Sequence, residues 1–146
     1  MKGKYIAIFA VFLFIVFFFA MEARAVNWEL YLTTSDGNRF YYDPQSITWV
    51  SNAIVQLSKR VIWSKETKLD ALRLGGRVGL FLADINHTIA LMEFNCREEK
   101  FQKLLADHYN DESIIIQSDN HANSSWKPIV PGSPDETLFN IVCGSR

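Results

Sequence analysis

Residues Trp126–Cys143, WKPIVPGSPDETLFNIVC, read as a loop that delivers the chain into one short helix. Ser133 is the N-cap candidate: its hydroxyl can accept from the backbone N–H of Glu136, while the Glu136 carboxylate can reach back to the cap. Pro134 then falls on the first helical position, where a missing N–H costs nothing. Leu138 and Val142, and Phe139 and Cys143, are four apart, with Ile141 three from Leu138, so the helix carries an apolar stripe that stops at Gly144. A helix of about ten residues is not stable alone in water. Packing must hold it, and a bond from Cys143 to the other cysteine of the chain, Cys96, is expected to help.

The 146 residues, 49% of them hydrophobic, are enough for one domain with a real core. The first 25 have the layout of a signal peptide. Lys2 and Lys4 supply a positive start, Tyr5 to Met21 is apolar throughout, and Ala23-Arg24-Ala25 is a small-residue cleavage site that makes Val26 the mature N-terminus. The alternative is an uncleaved membrane anchor, since the apolar run reaches the lower length for spanning a bilayer. No cysteine lies in residues 1–25, so a lipid-modified N-terminal cysteine is not expected. Cleavage would remove Lys2, Lys4, Arg24 and Glu22, leaving 12 basic against 15 acidic groups and a net charge of about −3. That balance, without a basic block, excludes the electrostatic footprint of a nucleic-acid binder. In an exported chain two cysteines read as one disulfide, with free or intermolecular thiols as the alternative.

Working back from the terminal helix, the mature chain reads mostly as strands. Trp28–Thr34 alternates, with Trp28, Leu30 and Leu32 expected on the buried side, and turns at Ser35–Asn38 into a second strand over Arg39–Tyr42. Asp43-Pro44 breaks that strand, and Ser46–Val50 is a short third. Ala53–Ser64 puts Val55, Leu57, Val61 and Trp63 on one side, with Lys59 a polar intruder among them. Thr67–Leu74 suits a short helix stopped by Gly75-Gly76. Residues 77–86 fit a strand or a helix, and Gly79 favours neither. Ile89–Cys96 alternates again, placing Cys96 on the side of Met92 and Phe94. In Glu98–Tyr109 the spacing of Phe101, Leu104, Leu105 and Tyr109 looks helical at first. Ser113–Ser118 is β-prone, and Asp119–Ser125 is a polar loop.

Three fragments in this order resemble the surface-adhesin protein E family: Tyr41-Tyr42-Asp43 followed by Ser46-Ile47; Glu93-Phe94-Asn95-Cys96 followed by charged residues and Tyr109; and Trp126, Pro128-Ile129, Pro131-Gly132-Ser133, Glu136, Leu138 and Cys143. The likeness spans nearly the whole mature chain, apart from residues 65–86. It implies an α+β fold: an antiparallel sheet of about six strands with a C-terminal helix packed on it, tied by a Cys96–Cys143 disulfide. It also implies a strand, not a helix, over 98–109. The family's namesake is a bacterial adhesin that binds host matrix and plasma proteins and can self-associate.

Chemistry-bearing patterns are sparse. His87, His108 and His121 are 21 and 13 apart, without the short spacing of a metal pair, and read as ordinary surface or loop histidines. No nucleophile elbow, zinc-protease motif or phosphate loop occurs. The sequence calls for no catalytic residue, metal or cofactor. Glu98, Glu99, Lys100 and Lys103 read as a solvated face, with a charged partner patch as the alternative. Tyr41, Tyr42 and Trp49 are the interface candidates, because such aromatics are enriched where proteins meet; packing into the core is the competing reading. The expected protein is therefore a signal peptide (1–25) and one domain (26–146), resident in the periplasm or on the cell surface. It is expected to act by protein–protein contact with a matrix-type or envelope protein or a second copy of itself. A periplasmic assembly accessory and a hydrolase with a dispersed site are the alternatives.

Overall fold

The computed structural model describes residues 26–121 and 124–144, so the expected signal segment, with Ala25, lies outside the described residues, and Val26 is the first residue described. Eight strands form one antiparallel sheet: β1 (Glu29–Thr33), β2 (Arg39–Tyr42), β3 (Thr48–Trp49), β4 (Ile54–Ile62), β5 (His87–Asn95), β6 (Lys100–Tyr109), β7 (Ile115–Asn120) and β8 (Lys127–Pro128). Six of them run in the order β1-β2-β4-β5-β6-β7, with β3 beside β4 and β8 beside β6. Three helices complete the fold: α1 (Lys65–Leu74), α2 (Gly76–Asp84) and α3 (Pro134–Cys143).

The long strands β4 and β5 pair over their full length, Val55 opposite Phe94 and Leu57 opposite Met92, which sets one apolar face. Val55, Leu57, Ala90, Met92, Phe94 and Ala106 bury against Leu138 and Val142 of α3. Phe94, Leu57, Leu138 and Val55 are fully covered and mark the centre of the core. The Cys96–Cys143 disulfide, closing 47 residues, joins the chain just after β5 to the last turn of α3. At the helix start, Ser133 Oγ accepts from Glu136 N–H at 3.2 Å. The Glu136 carboxylate takes the N–H of Gly132 at 2.7 Å rather than that of Ser133, whose own N–H is committed to the Val130 carbonyl.

The segment 65–86, ambiguous in sequence, is a helical hairpin. Ser64 caps α1 by accepting from Thr67 N–H, and its own N–H donates to the buried Asn38 side chain at 2.8 Å. The hairpin is thus pinned to the β1–β2 turn. Gly75 and Gly76 both take positive φ, 71° and 62°, which lets α1 end and α2 begin with Gly75 alone between them. Gly79 sits where the helices touch: a Cβ there would lie 2.6 Å from the Ala71 carbonyl oxygen. Glycine is therefore required by helix contact.

Two expectations for the strands are corrected. Between Leu30 and Leu32 the β1–β2 register shifts, which turns Tyr31 toward the core and leaves Leu30 54% exposed. The expected third strand over Ser46–Val50 is present but shorter, as the two residues of β3, because Ser46 closes a 3₁₀ turn over Pro44–Ser46 capped by Asp43.

Candidate functional site

Both helical elements lie on the same side of the sheet. The α1–α2 hairpin covers one end, α3 the other, and between them the sheet floor is open as a cleft. Because side chains alternate across a strand, the floor is built from Phe40, Val61, Trp63, Thr88 and His108. The cleft has two adjoining depressions that share Trp63, Thr88 and His108. One, of about 380 Å³, is walled by Ala71, Leu74, Leu82 and Ile85. The other, of about 330 Å³, is walled by Lys59, Lys103, Lys127, His121, Ser124 and Asp135.

A polar chain crosses the floor. Trp63 Nε1 donates to Thr88 Oγ1 at 3.1 Å, Thr88 Oγ1 lies 2.9 Å from His108 Nδ1, and His108 Nε2 lies 3.2 Å from Asp119 Oδ2. The Asp119 carboxylate can only accept, which makes His108 Nε2 the donor to it and leaves Nδ1 of the neutral ring to accept from the Thr88 hydroxyl. The Gln117 amide first, and His108 next, hold the Asp119 carboxyl below the ordinary carboxylate range. The order hydroxyl, imidazole, carboxylate is that of a hydrolytic triad. Here, however, the hydroxyl is on a β-branched residue only 8% exposed and is tied to the Trp63 indole, so it is held in a structural network.

Electrostatics distinguish the second depression. Lys59 is neutralised by Asp135 in the first turn of α3, Nζ to Oδ1 2.5 Å. Lys103 and Lys127 have no ion-pair partner among the described residues. His121 Nε2 is a buried nitrogen without a hydrogen-bond partner. Burial, and the neighbouring Asp135 charge, push the Tyr31 phenol above its usual range, so that hydroxyl stays neutral. No group of three or more His, Cys, Asp or Glu among the described residues can hold a metal ion.

Among the described residues the opposite face of the sheet carries no helix. One row across it runs Leu30, Tyr41, Arg60, Ile89 and Asp107 on neighbouring strands. Arg60 Nε is buried without a partner in this row, between an aromatic and two aliphatic side chains. Next to the row, His87 stacks on Tyr109, centroids 4.6 Å apart and planes 4° from parallel.

The interface candidates named from sequence are split by this geometry. Tyr41 stands on the open face. Tyr42, its neighbour in the strand, points to the helix side, where it meets Tyr31 edge-on at 6.1 Å and donates to Glu29 at 3.1 Å. Trp49, on β3, pairs opposite Val55 and is 36% exposed. The helix-cap pair Ser133 and Glu136 and the disulfide pair hold α3 and do not line the cleft. The histidines depart from a surface reading: His87 is buried, while His108 and His121 come together through β6 and the end of β7. Sequence reading missed Thr88, His108, Asp119 and Lys127, whose spacing reveals nothing until the strands are paired. Lys59, polar among apolar residues, was the one visible signal of the cleft.

The fold is an α+β domain with its helices on one face of an antiparallel sheet and one covalent staple. The family model described as surface-adhesin protein E matches residues 28–144, and the chain belongs to that family. No curated protein matches the chain. No helix among the described residues is long and apolar enough to cross a membrane.

Proposed function

We propose that this chain is an exported binding module of the cell envelope that works by protein–protein contact and carries out no reaction. The family match over residues 28–144 carries this reading. The helix-free face supports it: Tyr41 and Arg60 lie side by side among Leu30 and Ile89, and tyrosine and arginine are enriched where proteins meet while most charged types are depleted. The partner is a matrix-type or envelope protein. A second copy can also add to the sheet, because β1 and β7 end the strand order with their outer edges unpaired by other strands.

The test has two parts. In intact cells of a diderm host, protease should remove the mature protein; protection until the outer membrane is opened would overturn the host-adhesin reading in favour of a periplasmic accessory. Purified chain should be retained on immobilised matrix-type proteins. Tyr41→Ala and Arg60→Ala should each weaken that retention about ten-fold without a change in fold, as central interface residues do. Retention equal to wild type would remove the open face from the mechanism.

The Thr88–His108–Asp119 alignment favours one second reading, a hydrolase. Turnover of a reporter ester by wild type, lost in both Thr88→Val and His108→Ala, would establish it. Equal background rates in all three proteins support the binding reading.

A further inference from the structure

The cleft on the helix-bearing face does not enter the adhesive reading, yet its two ends differ sharply in chemistry. We propose that it is a site for a single-chain anionic amphiphile, with the hydrocarbon tail in the depression beneath the α1–α2 hairpin and the head against Lys103, Lys127 and His121.

At the tail end, Ala71, Leu74, Leu82 and Ile85 offer water almost no hydrogen-bond partner, so an apolar occupant is favoured. The volume of about 380 Å³ is far above a packing defect and falls in the range of roughly 300–1,000 Å³ found for ligand pockets. The mouth is apolar too. Leu74 is 72% and Leu82 39% exposed, and Val78, one turn before Leu82 on α2, is exposed as well. The hairpin carries Lys65, Lys68, Arg73 and Arg77 against Glu66, Asp70 and Asp84, with Arg73 paired to Asp70, so its charge is nearly balanced and the apolar rim is its distinguishing feature.

At the head end, charge complementarity selects an anion. The Lys59 ammonium is occupied by Asp135, whereas those of Lys103 and Lys127 have no ion-pair partner among the described residues. His121 Nε2, buried and unpartnered, adds a third polar group on the wall of the head end. Where the two ends meet, Trp63, Thr88 and His108 have already satisfied one another, so a hydrocarbon chain lying across them leaves no donor unpaired. Carboxylate and phosphate heads share this chemistry.

Trp63 lines both depressions, which provides the readout. The chain purified with its disulfide formed is titrated with a dibrominated stearate below its micelle concentration, bromine quenching indole fluorescence on contact. Saturable quenching at one equivalent is expected, and Trp63→Phe should lose most of it. Lys103→Glu with Lys127→Glu, and separately Leu74→Asp with Leu82→Asp, should each weaken binding about ten-fold or more, as should methyl esterification of the ligand. These positions are at least partly exposed, so thermal unfolding of each variant should stay close to wild type. Stronger displacement of the probe by lysophosphatidylglycerol than by stearate would assign a phosphate head, and the reverse a carboxylate. Absence of saturable quenching, or equal affinity for the ester, would overturn the proposal. So would sedimentation with phosphatidylglycerol vesicles in a protein that ignores the monomeric acid, which would make the apolar hairpin a membrane-docking surface instead.

Discussion

Lys59 stands between Leu57 and Val61 on the apolar side of β4, and Asp135 in the first turn of α3 is what makes that position tolerable. Their side chains are only 12% and 22% exposed, so removing either leaves a poorly solvated charge. Asp135→Ala is expected to cost roughly 1–3 kcal/mol, and Lys59→Met combined with it should recover part of that loss; a double-mutant cycle by denaturant unfolding measures the coupling. His87 makes the protein sensitive to acid. Burial, and secondarily the Arg60 charge, keep its pKa below the ordinary imidazole value. The unfolded chain therefore takes up a proton near pH 6.5 that the folded chain refuses. This contribution to stability is complete above about pH 6.5 and falls away as the pH drops below it, until folded His87 also protonates. Asp119, held low by Gln117 and His108, adds a second loss at lower pH, once the unfolded carboxyl begins to protonate. Thermal midpoints measured from pH 7.5 down to 4.5 should decline, and His87→Phe, which retains a ring against Tyr109, should flatten the upper part of that decline.

The secondary-structure elements show which sequence signals survive folding. Helix α3 is legible to the residue, because its cap, its proline and its stripe are all local. Strand β6 is not. The β5–β6 register shifts between Leu91 and Met92, which leaves Leu104 without its own partner on β5. That single bulge turns a two-residue alternation into the Phe101, Leu104, Leu105 spacing that imitates a helix, and only the family resemblance pointed to a strand. Helix α1 was legible as Thr67–Leu74, whereas α2 was hidden by Gly79, a poor helix former present because the Ala71 carbonyl leaves no room for a Cβ. Gly79→Ala should destabilise the hairpin by about 1–3 kcal/mol, seen as faster amide exchange in α1 and α2 than in the sheet. Cys143→Ala should lower the thermal midpoint by roughly 10–20 °C, from a loss of about 4 kcal/mol, and loosen α3; equal melting of mutant and oxidised wild type would refute the staple. The cleft residues were illegible for a different reason. Thr88, His108 and Asp119 belong to three strands, and their meeting depends on register, which a linear pattern does not encode.

At the scale of the molecule, the sheet is a partition with two unlike sides. One carries all three helices and a cleft graded from apolar to cationic. The other is a broad face centred on Tyr41 and Arg60. A partner protein on the open face and an amphiphile in the cleft can therefore be bound together, separated by the thickness of one sheet. If the sheet is rigid, saturation with the brominated acid should leave retention on a matrix-type protein unchanged, and Arg60→Ala should leave quenching unchanged. A shift in either measurement would show that the two sides are energetically coupled through β4 and β5.

The disulfide also determines how the domain carries load. Tension applied at its C-terminal end does not peel α3 away and then unzip β8, β7 and β6 in turn, because Cys143 is bonded to the chain just beyond Asn95, the last residue of the interior strand β5. Force passes through sulfur directly into the middle of the sheet. The 47-residue loop it closes, with a contour length of roughly 160 Å, cannot be paid out while the bond is intact. Single-molecule stretching should show that length missing from the unfolding step and restored by reductant. A domain held at one end and pulled at the other would thus stay short under strain.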